Sequence, residues 1–250
     1  MYKVSMVSLG CPKNQVDAEI MLKKLVDAGY ILVDEAEKAD VVIVNTCAFI
    51  EDSKKESIDS ILEMIDYKED GNLKGVVVTG CLAQRYNKEI VDEIPEVDAV
   101  LGTTSYDKIV EAIDKALQGE VTIELNDIDA LPKVDTKRII TTGGHFAYLK
   151  IAEGCNKHCT YCIIPKVRGS YRSIPMESLV TEAKTLVENG VKELILVAQE
   201  TTMYGIDLYG KKVYTELVKF IREEQKFDSI DELKNQIAKD IDEIRSYFKK

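Results

Sequence analysis

At 250 residues the chain is long enough for two domains with a core each, and its 45% apolar and 31% charged residues are those of a folded globular protein, which excludes a disordered or fibrous one. No apolar run approaches the length of a membrane span, and Met1 to Ser5 lacks the layout of a signal peptide, so a cytoplasmic protein without membrane association is expected. The net charge of −11 is uneven: residues 1–120 hold 13 Lys/Arg against 24 Asp/Glu, residues 145–212 hold 9 against 7, and the acidic first half is a poor platform for nucleic-acid backbone.

In chain order, residues 2–9 alternate and carry β-branched side chains, which predicts a strand. Gly10 to Asn14 reads as a turn, and residues 15–28 as a helix with Val16, Ile20, Leu22, Leu25 and Val26 at helical spacing, stopped by Gly29. Val41 to Val44 is a short apolar strand of the kind buried on both faces of a parallel sheet. A helix over 52–66 places Ile58, Ile61, Leu62 and Ile65 on one face. Gly75 to Thr79 and Val97 to Leu101 read as further strands, followed by a helix from Ser105 to Leu117. This alternation predicts a doubly wound parallel sheet over residues 1–120.

Residues 121–144 form a linker or a pair of short strands, broken by Asp127, Asp129, Pro132 and Gly143-Gly144. A second domain over 145–212 opens with a strand from Phe146 to Glu153. A helix over 175–189 follows, with Leu179, Val180, Ala183, Leu186 and Val187 inward, then a strand from Glu193 to Ala198. That order is the start of a (β/α) barrel, whose chemistry sits at strand carboxyl ends. Residues 213–250 read as two amphipathic helices; in the second, Ser229 and Glu232 make a capping box before the stripe Ile230, Leu233, Ile237, Ile241, Ile244 and Phe248.

The six cysteines fall into two sets. Cys155, Cys159 and Cys162 have the spacing C-x-x-x-C-x-x-C in one loop, where three thiolates can share an iron–sulfur cluster and leave one iron open to a small molecule. A zinc site built from these three and His158 is the alternative, but zinc motifs usually present two separated ligand pairs and no second pair follows. Cys11, Cys47 and Cys81 are distant in sequence, yet each lies just past a predicted strand, 36 and 34 residues apart, about one βαβ unit. In a parallel sheet those corners share one edge, so the three are expected to converge on a second cluster. Three separate core cysteines are the alternative.

These motifs resemble the radical S-adenosylmethionine (SAM) methylthiotransferase family over roughly residues 1–212. The first half matches in Ser8-Leu9-Gly10-Cys11-Pro12-Lys13-Asn14, Asn45-Thr46-Cys47 and Thr79-Gly80-Cys81. The second matches in Lys150 to Cys155 and Cys159 to Pro165. Leu9 to Asn14 and Ala198 to Gly205 resemble the branch that thiomethylates the β-carbon of an aspartate in small-subunit ribosomal protein twelve. A tRNA-adenosine branch and a non-catalytic iron–sulfur protein are the alternatives.

The resemblance implies two 4Fe-4S clusters, on Cys155, Cys159, Cys162 and on Cys11, Cys47, Cys81, with SAM at the first. It implies SAM contacts from Tyr161, Arg172 and Gln199, and no side-chain acid or base is assigned. Partners implied are the ribosomal protein and a flavodoxin- or ferredoxin-like electron donor. Lys166, Arg168 and Arg172 read as a basic patch near SAM or a solvated loop. Ile174 stands where relatives often have arginine, and Glu200 where they usually have aspartate. The likeness stops near Lys212, where the family continues with further barrel strands and a small β-barrel.

Overall fold

The computed structural model describes residues 1–71, 73–130, 137–211 and 225–248. Pro132 and the first of the two tail helices lie outside the described residues, as does the side chain of Phe248. Residues Met1–Val213 form one compact unit and Tyr214–Lys250 a second.

The first half of unit one is a six-stranded parallel sheet with helices on both faces, as the buried strands predict. Its elements are β1 (Lys3–Ser8), α1 (Pro12–Asp27), β2 (Ile31–Leu32), β3 (Val41–Thr46), α2 (Glu51–Glu69) and β4 (Gly75–Gly80). They continue with α3 (Cys81–Arg85), α4 (Asn87–Glu93), β5 (Ala99–Leu101), α5 (Ile109–Ala116) and β6 (Thr122–Glu124), in the sheet order β2-β1-β3-β4-β5-β6. Every residue of β3 and β4 is buried. The period-two pleat divides them between two cores. Val42, Val44, Val76 and Val78 pack with Ile61 and Ile65 of α2, while Val41, Ile43 and Val77 pack with Leu25 of α1 and Ile113 of α5.

The chain leaves β1 for β2 on one side and returns to β3 on the other, a topological switch point at β1. Register pairs Ser8 with Asn45 and Thr46 with Gly80, so the carboxyl ends of β1, β3 and β4 are level.

Several boundaries differ from the sequence reading. The helix expected from 15 begins at Pro12, because proline at N1 loses no helical hydrogen bond. Asn45 and Thr46 belong to β3, and the expected helix from Ser105 opens with a 3-10 turn over Tyr106–Lys108. β6 extends the sheet from within residues 121–144.

The second half of unit one holds β7 (Phe146–Lys150), β8 (Ala152–Glu153), α6 (Ile164–Arg168), β9 (Arg172–Ser173), α7 (Met176–Glu188), β10 (Glu193–Val197) and α8 (Ile206–Tyr209). β10 pairs parallel with β7, and β8 pairs antiparallel with β9. Ala147, Leu149, Ile151, Leu179 and Leu186 form their core. Val180 and Val187, expected inward, and Val26, Ile58 and Leu62, expected on the apolar stripes of their helices, are all exposed. Ile58 and Leu62 line an open groove of about 710 Å³ with Leu82, Tyr86, Ile90 and Ile94.

In unit two, α9 (Ile230–Phe248) is capped as expected: Glu232 donates its N–H to Ser229 Oγ at 3.2 Å, while the Glu232 carboxylate accepts from the Asp228 N–H at 3.1 Å. Ile230, Leu233, Ile237, Ile241 and Ile244 are exposed. Among the described residues no helix is long and apolar enough to cross a membrane.

Candidate functional site: two cysteine sets and the charges between them

All six cysteines are free thiols. Cys11 is the N-cap of α1, Cys47 follows β3 directly, and Cys81 opens α3 directly after β4. The level strand ends bring them together. A Cβ on Gly10 would stand 3.3 Å from Cys47 Sγ, so the Gly10-Cys11 turn lies against Cys47. The Cys81 thiol donates to Asn14 Oδ1 at 3.8 Å, and Cys11 and Cys47 are close enough to act on its charge. Burial pushes the Cys81 thiol up, opposed by the neighbouring Arg168 guanidinium.

The backbone holding these cysteines is fastened by side chains. Asn14 Nδ2 donates to Leu9 and Thr46 carbonyls at 3.1 and 2.9 Å, and Asn45 Nδ2 donates to the Asn14 carbonyl at 2.8 Å. Fully buried Ser57 on α2 accepts the Cys47 N–H at 3.0 Å and donates to its carbonyl at 2.9 Å. Gly80 has φ +94°, and a Cβ there would stand 2.5 Å from the Thr46 carbonyl oxygen, so only glycine delivers Cys81 to this corner. A cavity of about 340 Å³ opens beside Cys11, lined by Ser8, Leu9, Gln15 and Thr141 among others.

The second set is built differently. Cys155, Cys159 and Cys162 lie in the loop between β8 and α6, with Cys159 exposed and the others half-buried. A tight turn joins two of them, Cys162 N–H donating to the Cys159 carbonyl at 2.9 Å, and His158 takes φ +46° to let the loop fold back. Gly154, at φ +71°, roots the loop; its missing Cβ would stand 1.9 Å from the Ser170 carbonyl oxygen. Cys155 N–H donates to the Gly169 carbonyl at 3.1 Å, and Asn156 Oδ1 accepts the Tyr171 N–H at 2.8 Å. Lys157 pairs with Glu200, whose hydrogen bond raises the lysine's pKa, with Cys155 and Cys159 acting in the same direction.

Among the described residues, no group of three or more His, Cys, Asp or Glu closes on a point as ligands of one metal ion would. A four-iron cluster takes each thiolate on a different iron, so it asks for separated sulfurs; one set lies within a single eight-residue loop and the other at neighbouring strand ends. Either set could hold one.

Between the sets runs a buried charge network that sequence reasoning missed. Asp17 on α1 pairs with Lys150 of β7 and, at 2.7 Å, with Arg168 of α6. Glu153 takes Lys150 at 3.4 Å and Arg168 at 3.3 Å. Arg168, 2% exposed, also donates to Asn14 Oδ1 and so touches the first cysteine corner. Further out, Arg138 joins Glu19 of α1 to Glu182 of α7. Lys13 is buried as well, its Nζ without a hydrogen-bond partner, and burial pushes its pKa down to about 8. The signal available in the sequence was a charged residue at inward helical positions, Asp17 one turn after Lys13 and Glu182 between Leu179 and Leu186.

The expected basic patch therefore divides: Lys166 is exposed, whereas Arg168 and Arg172 are buried. Arg172 is held by Asp129 at 3.2 Å and by the Ser170 and Arg168 carbonyls at 2.6 and 3.1 Å. Tyr161 is 90% exposed beside Cys162. Gln199 follows β10 with a buried, unpartnered Oε1.

Residues 3–102 match an uncharacterized protein family, UPF0004, and residues 146–248 match riboflavin kinase. The chain is similar to a ribosomal protein uS12 methylthiotransferase, RimO, of Lachnoclostridium phytofermentans, 62% identical over 217 residues, which cover 87% of this chain and 49% of that protein. The RimO of Clostridioides difficile is 50% identical over 258 aligned residues, covering 99% and 58%, and that of Clostridium tetani 51% over 222, covering 88% and 49%. The resemblance expected from the cysteine motifs is thus borne out. The chain spans about half the length of the curated relatives it matches. The motif likeness ends near Lys212, beside the limit of unit one at Val213, while the riboflavin kinase match runs on into α9.

Proposed function

We propose that this chain, so similar to the uS12 methylthiotransferases, is the cluster-bearing part of a radical-SAM enzyme that transfers a methylthio group to the β-carbon of an aspartate in ribosomal protein uS12. The observation that supports this most is the placement of two cysteine triads in one compact unit, one at the ligand edge of the sheet and one in a loop past β8.

In this reading Cys155, Cys159 and Cys162 hold the SAM-binding 4Fe-4S cluster and Cys11, Cys47 and Cys81 the auxiliary one. Bound there, the clusters and SAM supply hydrogen abstraction from an unactivated carbon and the sulfur and methyl groups. The protein's work is positional. Tyr161, Arg172 and Gln199 contact SAM, and the buried Gln199 Oε1 has no partner of its own. The buried Asp17–Lys150–Arg168–Glu153 network ties α1, which follows Cys11, to β7 and to Glu153 and Arg168, which flank the loop triad. A flavodoxin- or ferredoxin-like protein supplies electrons, and the setting is the cytoplasm. Modification of a tRNA adenosine is the competing reading, disfavoured by the acidic sheet domain and the Leu9–Asn14 motif.

Expression in cells lacking each methylthiotransferase decides between them. We expect the thiomethylated form of uS12 by mass spectrometry. A modified tRNA beside unmodified uS12 overturns the reading. Anaerobically reconstituted protein is expected to hold about eight irons with matching sulfide, as two four-iron clusters require.

A further inference from the structure

The buried charges between the triads do not balance. Lys13, Lys150, Arg168 and Arg172 are four buried cations acting on Glu153, and the buried carboxylates among them are two, Asp17 and Glu153. Lys150 and Arg168 each touch both carboxylates. Among the described residues the Lys13 Nζ is shut from water and has no hydrogen-bond partner, as is also true of Arg172 Nε and Glu153 Oε1, but Arg172 is held through its other nitrogens and Lys13 has no other donor. Cys11, the N-cap of the same helix, lies two residues earlier.

An unpaired ammonium in a dry interior is costly, because burial removes its hydration and nothing replaces it. An anion with hydrogen-bond acceptors at this spot would remove the cost. Neutral thiols do not supply one. A four-iron cluster on three thiolates does: it is anionic, and its sulfurs accept hydrogen bonds. The position fits, since Lys13 sits in the first turn of α1, whose N-terminal end faces Cys11 and favours negative charge. Arg168 already occupies the far side, beside Asn14 and Cys81.

We propose that Lys13 is a cluster-binding residue: its ammonium donates a hydrogen bond to the sulfur of the cluster on Cys11, Cys47 and Cys81 and raises that cluster's reduction potential. One-electron reduction adds a negative charge to the cluster, and a buried cation in contact favours the reduced state. The inference rests on the proposed cluster assignment above.

The test uses the full chain with Cys155, Cys159 and Cys162 all replaced by Ala, so that only the first set assembles a cluster, reconstituted anaerobically with iron and sulfide. Lys13→Met, Lys13→Gln and Lys13→Arg are compared in that background by iron content, circular dichroism and an EPR-monitored redox titration. The two neutral variants guard against a folding loss in either one. We expect about four irons in the starting protein, a midpoint potential moved to more negative values in Lys13→Met and Lys13→Gln, and one near the starting value in Lys13→Arg. Folded neutral variants that lose iron which Lys13→Arg keeps support the same conclusion. An unchanged potential in a fully loaded neutral variant overturns the role of Lys13 and leaves the cluster assignment standing. A starting protein that binds no iron overturns both.

Discussion

The two cysteine triads are built on opposite architectures. Cys155, Cys159 and Cys162 need eight consecutive residues, one glycine at positive φ and one tight turn. Cys11, Cys47 and Cys81 need a sheet: three strands in register, helices on both faces, and Asn14, Asn45 and Ser57 to tie the corners together. The loop triad is half-exposed, the sheet triad largely buried. A site near water can exchange a small molecule, whereas a buried one can be tuned by charges that solvent does not screen. One lesson follows for both: a thiol is aimed by the residue before it, and glycine stands before Cys11, Cys81 and Cys155 with φ of 95°, 94° and 71°.

The comparison breaks most visibly when each triad is removed. Replacing Cys155, Cys159 and Cys162 with Ala is expected to halve the iron content and abolish 5′-deoxyadenosine formation from SAM. Replacing Cys11, Cys47 and Cys81 halves the iron, leaves that cleavage in place and stops sulfur insertion. Iron analysis with chromatography of both products checks this. Thiomethylated product from the second variant would make those cysteines core residues only.

Arg168→Ala comes next in size. It leaves Asp17 and Glu153 with one buried cation less, a loss of about 3–5 kcal/mol in stability by chemical denaturation. Because Arg168 also touches Asn14, we expect the sheet triad to lose iron before the loop triad does. Equal loss from both would show that the network serves the fold alone.

Gly154→Ala sharpens the contrast from the other side. The added methyl has no room against the Ser170 carbonyl and the backbone sits at positive φ, a cost of about 1–3 kcal/mol confined to the loop. Only the loop cluster should become labile, read as faster iron release to a chelator. A matching loss at the sheet triad would show that strain at Gly154 reaches it through Glu153 and Arg168.

Much of this was legible along the chain. The C-x-x-x-C-x-x-C loop needs no tertiary information, since its ligands are neighbours in sequence. The all-apolar β3 and β4 announced a parallel sheet buried on both faces, and parallel topology alone sends Cys11, Cys47 and Cys81 to one edge. The flanks of the helices were not legible, because Ile58, Leu62, Val180 and Val187 have helical spacing whether or not a neighbour covers them.

The charges between the sites depended wholly on the folded chain. Asp17, Glu153 and Arg168 are common surface residue types, far apart in sequence, and Arg168 read as part of a solvated loop. Local pattern determined the two cysteine sets and the strands that carry them, because backbone periodicity and ligand spacing are short-range properties. Packing α1 against β7 and α6 decided which cations lie between the sets and which one is left unpaired, because burial is a property of surfaces that meet only after folding.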